Sequence, residues 1–163
     1  MVKIKIFAAC IAMILIWSCG NKQSSAPGTS GDATGSTTST EAADTDYDPK
    51  RGEGKFNESN LNLETSLNVP MAEAGEIASG VKCTSCHKLS DERLVGPGWK
   101  GVTTRRTPHW IMNFITNPEP MIDKDPELQA QLELCLVRMP NQSLTEEEAR
   151  NILEFMRKND GIK

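Results

Sequence analysis

The sequence predicts an all-α fold for residues 69–163. Three observations carry that expectation. No stretch alternates apolar and polar residues for long enough to make a strand. Helix-start signals recur at Thr107-Pro108, at Asp125-Pro126 and at Thr145, three residues before Glu148. Finally, Cys83-Thr84-Ser85-Cys86-His87 is a C-x-x-C-H, the pattern by which two thiols attach a haem. A domain of roughly 95 residues is small, and a covalently held porphyrin supplies core that the chain alone lacks.

In order, a first helix is expected over Met71–Ser79, running into the C-x-x-C-H. The spacing there follows from chemistry. Two thiols adding to the two vinyl groups on one porphyrin edge must sit a short, fixed distance apart, and the histidine after the second is then held under the ring as a ligand. A bare C-x-x-C has two other readings. A thioredoxin-like redox pair needs a βαβ context, which is not found, and half a zinc site needs two further ligands. A loop with Gly96-Pro97-Gly98 follows. The second helix has Thr107 as N-cap, Pro108 at its first position, and runs from His109 to Thr116, stopping before Pro118. Met121 falls in the next loop. A third helix starts at Asp125-Pro126 and runs to about Val137 with an apolar stripe of Leu128, Leu132, Cys135 and Leu136. Met139-Pro140-Asn141 forms the next loop. The last helix opens on the Thr145/Glu148 capping box and carries Ile152, Leu153, Phe155 and Met156.

Upstream, Lys3 and Lys5 precede an apolar run from Ile6 to Trp17 that is short for a bilayer span. It ends at Ile16-Trp17-Ser18-Cys19-Gly20, which resembles a bacterial lipobox. The resemblance implies a signal peptide over 1–18 and acylation of Cys19. Residues 19–68 are polar and rich in Ser, Thr and Gly, and are expected to form a disordered, lipid-anchored tether. The full chain has 18 basic and 22 acidic residues. Loss of Lys3 and Lys5 with the leader takes its formal charge from −4 to −6, which disfavours nucleic acid and favours protein partners with a basic docking face. Export and haem attachment agree, and together they account for every cysteine of the mature chain except Cys135, a buried small hydrophobe by its place on the stripe.

The order C-x-x-C-H, Val95-Gly96-Pro97-Gly98, Arg138-Met139-Pro140 and a final helix after Thr145 resembles class I cytochromes c, here in a bacterial lipoprotein form. The resemblance implies a small helical domain wrapped around one covalent haem c. It makes Cys83 and Cys86 the attachment thiols, His87 the proximal ligand and Met139 the distal one. It places the Pro97 carbonyl on His87 Nδ1–H, Gly75 where the terminal helices cross, and Phe155 against that crossing; Ser79 stands where many members carry an aromatic residue, so a looser crossing is expected. A thioether is also a soft neutral donor that suits low-spin iron and raises the reduction potential. Met121 is the rival ligand, Met112 a core residue, and His109 a surface residue that bis-histidine ligation would recruit. Trp99, Arg105 or Arg106 are read either as partners of the haem propionates or, for the arginines, as exposed loop charges. Asn141 either donates to the Met139 sulfur or makes a turn.

These features lead to an expected single-electron carrier on the periplasmic side of a bacterial membrane, not an enzyme. It would shuttle between a quinol-oxidising complex and a terminal reductase or oxidase. With the Trp110-to-Phe114 segment, the pattern is similar to lipoprotein cytochromes of Bacteroidetes-type bacteria, which suggests nitrous-oxide reductase or a terminal oxidase as acceptor. The rival readings are a haem enzyme or gas sensor with an open or labile distal position, and a structural lipoprotein with an incidental C-x-x-C-H.

Overall fold

A computed structural model of the chain describes residues 47–163. The expected signal peptide, Cys19 and the tether up to residue 46 lie outside the described residues. Among the described residues six helices follow one another: α1 (Val69–Lys82), α2 (Val102–Arg105), α3 (Pro108–Thr116), α4 (Pro118–Lys124), α5 (Pro126–Cys135) and α6 (Glu146–Asn159). Among the described residues there is no strand, only a single bridge between His87 and Arg93.

The frame is the crossing of α1 and α6. Helix α1 starts where the Asn68 side chain accepts from the Met71 N–H at 3.2 Å. It runs to Lys82 rather than to Ser79, because the Cys83 N–H still reaches the Ser79 carbonyl at 2.8 Å. Ala72, Gly75 and Ser79, at positions i, i+3 and i+7, form its buried face. Gly75 meets the α6 backbone so closely that a Cβ there would fall on the Asn151 carbonyl and within 2.8 Å of Ile152 N. Ser79 is wholly buried, and its hydroxyl donates back to the Glu76 carbonyl at 3.0 Å, so a small residue does not leave this position open to solvent. Helix α6 has the full capping box: Glu148 N–H donates to the Thr145 hydroxyl at 3.1 Å and Thr145 N–H to the Glu148 carboxylate at 2.9 Å. Three glutamates in its first turn and Arg157 and Lys158 in its last oppose its dipole.

Helix α3 follows the expected bounds. Thr107 caps it by accepting from the Trp110 N–H at 3.1 Å, and it buries Trp110, Ile111, Met112 and Ile115. Helix α4 stands where a loop was expected. Pro118 and Pro120 look like breakers in sequence, but they occupy the first and third helical positions, where N–H groups have no partner inside the helix. The single-turn α2 was likewise not anticipated. Helix α5 ends earlier than Val137, at Cys135. Leu136 follows it in the left-handed region, φ 58°, and is exposed rather than part of the apolar stripe. A leucine in that conformation costs about 1 kcal/mol.

Residues 47–68 are not a tether but part of the packed unit. Phe56 and Leu61 are buried in the core, and Tyr47 and Leu63 pack on it. The polar composition misled because a few polar side chains satisfy this irregular backbone. Buried Asn113 on α3 accepts from the Phe56 N–H at 2.9 Å and donates to the carbonyls of Phe56 at 3.0 Å and Arg51 at 2.9 Å. Asp125, also buried, accepts from the Tyr47 hydroxyl at 2.7 Å, the Trp110 indole N–H at 2.9 Å and the Glu127 N–H at 2.9 Å. At the far end, Arg157 pairs with buried Glu154 at 2.7 Å and donates to the Glu64 carbonyl at 2.6 Å. The buried charges of Asp125, Glu154 and Arg157 thus have hydrogen-bonded partners, as burial requires.

Candidate functional site

Between these helices lies a cavity of about 410 Å³, within the range of roughly 300–1,000 Å³ usual for cofactor sites. Its wall is largely apolar, with Trp110, Ile111 and Phe114 from α3, Leu128 and Leu132 from α5, and Ile152 and Met156 from α6. The α5 stripe is therefore cavity wall rather than ordinary core.

The C-x-x-C-H sits in this wall because α1 ends beside it. The N–H groups of Cys86 and His87 both donate to the Cys83 carbonyl at 3.0 Å, which closes the turn. A second loop clamps that turn: Val95 and Gly96 N–H donate to the Cys86 carbonyl at 3.2 and 2.9 Å. Gly96 lies against the His87 ring, and a Cβ there would come within 2.9 Å of Nδ1 and 3.0 Å of Nε2. The Pro97 carbonyl accepts from His87 Nδ1–H at 2.8 Å, the expected bond. With the proton fixed on Nδ1, the Nε2 lone pair is left free for a metal. Burial holds the imidazole below its usual pKa, against the opposing pull of the Pro97 bond, so the neutral donor form prevails. Trp99 packs on it with ring centroids 5.8 Å apart and meets Phe155 edge-on at 6.4 Å. Burial, with a smaller push from Cys86 and an opposing pull from Lys82, raises the Cys83 thiol to about 11 in the haem-free chain.

Met139 lines the same cavity from a separate segment. Its loop is pinned on both sides. Arg138 pairs with Asp123 at 2.7 Å and Glu119 at 3.0 Å on α4, and the Asn141 amide donates to the Thr116 carbonyl at 3.1 Å. Asn141 also accepts from the Ser143 N–H at 2.8 Å, so it makes a turn. Met121 is not among the lining residues; it is fully buried in α4 and packs on Gly52. His109 is half-buried rather than solvated, with Nε2 3.3 Å from the Leu61 carbonyl, and is not in the wall. Cys135 is half-buried and lines the cavity, so it is not a core hydrophobe.

Among the described residues no aspartate or glutamate lines the cavity; the charged residues that line it are Lys82, Arg105, Arg106 and Arg138. Lys82 pairs with Glu148 at 2.9 Å, and Arg106 pairs with Glu127 at 2.7 Å and lies 4.1 Å over the Trp110 ring. Arg106 is therefore not a free loop charge. Arg105 is exposed and donates to the carbonyls of Lys100 at 2.7 Å and Gly98 at 3.4 Å. Among the described residues no group of three or more His, Cys, Asp or Glu is placed to hold a metal ion. No helix among them is long and apolar enough to cross a membrane.

An apolar chamber whose wall carries two thiols, a back-bonded imidazole and a thioether fits a c-type haem, and with the helical shell it defines a monohaem cytochrome of class I. Residues 72–160 match the family model described as Cytochrome c. Among solved structures the chain is similar to the cytochrome c from Rhodothermus marinus, at 35% identity and TM-score 0.61 over 69% of this chain and 92% of that one. It is also similar to an engineered form of that protein, at 34% identity and TM-score 0.62 over 69% of this chain and 98% of the other. A third similar structure is the engineered form bound to a carbene intermediate, at 35% identity and TM-score 0.60 over 69% and 98% of the two chains. No curated protein matches. The chain belongs to the cytochrome c family, carries a covalently attached c-type haem, and by family is a haem-based electron-transfer protein.

Proposed function

We propose that the chain is a single-electron carrier with His87 and Met139 as axial ligands and Cys83 and Cys86 as the attachment thiols. The observation that carries this reading is the 2.8 Å bond from His87 Nδ1–H to the Pro97 carbonyl, in a cavity that Cys83, Cys86 and Met139 also line. When bound, the haem supplies a one-electron Fe(III)/Fe(II) couple. The chain's own residues hold the geometry constant through that change. Pro97 fixes the imidazole ring and its tautomer. The anchored Met139 loop keeps the thioether in the wall, and the apolar lining keeps water away. With His87 and Met139 both holding the iron, no coordination position would be left for a substrate. Arg105, which among the described residues is the one cavity-lining arginine or lysine without a carboxylate partner, and Trp99 are suited to receive the haem propionates.

Further expectations form part of the proposal: anchoring through Cys19 to a bacterial membrane, with the described unit on the periplasmic side. There it would pass electrons from a quinol-oxidising complex to a terminal reductase or oxidase. A second reading is a haem enzyme with a labile distal position. What favours it is that an engineered form of the Rhodothermus marinus protein binds a carbene intermediate.

Optical spectra of the oxidised protein separate the two. Methionine ligation to haem iron gives a weak long-wavelength charge-transfer band. It is expected in the wild type and in Met121→Ala, and absent in Met139→Ala, whose midpoint potential falls. A Met139→Ala protein with an unchanged spectrum and potential would refute the ligand assignment.

A further inference from the structure

The N-cap of α5 carries more charge than a cap requires. The two carboxylate oxygens of Asp125 have separate partners. Oδ1 caps the helix, accepting from the Glu127 N–H at 2.9 Å and the Leu128 N–H at 3.3 Å. Oδ2 accepts from the Tyr47 hydroxyl at 2.7 Å and the Trp110 indole N–H at 2.9 Å, and the Arg106 guanidinium lies 3.8 Å away. A neutral asparagine or serine caps a helix as well as aspartate does. Capping therefore does not account for an ionised carboxylate that is only 1% exposed, because burying that charge is costly and the helix dipole offsets only part of the cost.

What surrounds the carboxylate is the wall of the cavity. Trp110, Leu128 and Arg106 all line it, and Asp125 bonds the first two and sits beside the third. The Trp110 N–H is thereby committed to Asp125. Its ring stacks on Phe114 with centroids 4.9 Å apart and lies 4.1 Å from the Arg106 guanidinium. Asp125 is thus a fixed anion directly behind a wall whose own charged residues are all cations. Burial pushes its carboxyl up, but the hydrogen bonds and Arg106 outweigh burial, so the charge persists at neutral pH. Burial and the Asp125 carboxylate push the Tyr47 phenol well above its usual value, so Tyr47 remains a donor.

We infer that Asp125 sets the reduction potential of the bound haem: its buried charge favours the ferric form, which carries one more positive charge than the ferrous, and Arg106 opposes it. The inference rests on the electron-carrier reading. A unit charge roughly 10–15 Å from a redox centre, in a medium of effective dielectric near ~20, changes a one-electron equilibrium by about tenfold. Arg106 offsets part of that, which leaves about three- to tenfold.

The test is potentiometric titration of the haem-loaded protein with dissolved mediators, followed by its visible spectrum. Asp125→Asn keeps an oxygen for the cap. It is expected to shift the equilibrium about three- to tenfold toward the reduced form, raising the midpoint by at most ~59 mV. Arg106→Gln is expected to shift it the other way. Glu127→Gln, which removes an exposed charge beside the same cluster, is expected to change it less than about twofold. Asp125→Glu, which keeps the charge, is expected to stay nearer wild type than Asp125→Asn. A merely structural Asp125 gives the opposite sign, because a loosened wall admits water and water favours the ferric form. An Asp125→Asn midpoint that falls, or that matches wild type, would therefore overturn the inference. A shift that vanishes at ~1 M salt, where the screening length is ~3 Å, would overturn it as well, since a buried charge is poorly screened. Should Asp125→Asn fail to load haem, Arg106→Gln decides: a midpoint unchanged or raised overturns the inference. All these outcomes leave the carrier reading intact. Failure of the wild type to titrate reversibly as a one-electron couple would end both.

Discussion

Gly75 and Gly80 lie on the same helix and offer one substitution with opposite consequences. Gly80 has open space around it: a Cβ there meets nothing within 4 Å. Gly80→Ala removes a flexible residue from a helix interior and is expected to stabilise the protein by about 0.5–1 kcal/mol. At Gly75 the same propensity gain applies, but the new methyl would overlap the Asn151 carbonyl and approach Ile152 N to 2.8 Å. These are backbone atoms of α6 and cannot rotate away, so one helix must move. Overpacking of this kind costs typically ~1–3 kcal/mol. With rigid obstacles the upper end applies, and after the propensity gain a net loss of about 2 kcal/mol remains. The contrast between the two variants is then close to 3 kcal/mol, roughly a hundredfold in the folding equilibrium. Guanidinium chloride unfolding of the haem-loaded protein measures it, with equal slopes confirming that only stability has changed. Because α1 leads directly into Cys83, Gly75→Ala is also expected to lower the yield of haem-loaded protein. If the two variants unfold at the same denaturant concentration, the close helix crossing is wrong.

Two further predictions follow from the segment before α1. Phe56→Ala is expected to destabilise the protein by about 3 kcal/mol, measured by the same unfolding experiment; a change near zero would return residues 47–68 to a tether. Asp125 gives a pH dependence. Burial pushes its carboxyl up, but hydrogen bonds from Tyr47, Trp110 and Leu128 and the nearby Arg106 outweigh burial and hold it below the usual value. Its stabilising contribution is therefore complete above the unfolded pKa of about 3.9 and is lost as pH falls through the lower folded value. The stability gap between wild type and Asp125→Asn should accordingly be constant near neutrality and narrow below about pH 4, read from urea midpoints across pH.

Helix starts were legible because a cap is a local device. Thr107, Asp125 and Thr145 each bond an N–H two or three residues on, and each is found capping as expected. Helix α4 was not legible. A proline is a breaker inside a helix and harmless in its first turn, and the sequence does not say which applies until the helix is seen. The segment 47–68 was missed for a different reason. Its composition is polar, and its anchors, Tyr47, Phe56 and Leu61, are widely spaced without a period. An aromatic or aliphatic residue recurring through a polar stretch was the one available signal. Its true partners, Asn113 and Asp125, sit 57 and 78 positions away from Phe56 and Tyr47.

The sequence by itself determined the chemistry: C-x-x-C-H has one strong meaning, since two thiols and an imidazole at that spacing match one edge and one face of a porphyrin. It also determined the helical class, through caps and periodicity that act over a few residues. Only the tertiary structure decided which methionine enters the cavity and which cavity-lining arginine has no carboxylate partner among the described residues. Those properties belong to residues that meet across the fold. Met121 and Met139 differ little as neighbours in a string, but one is packed under Gly52 and the other lines the chamber.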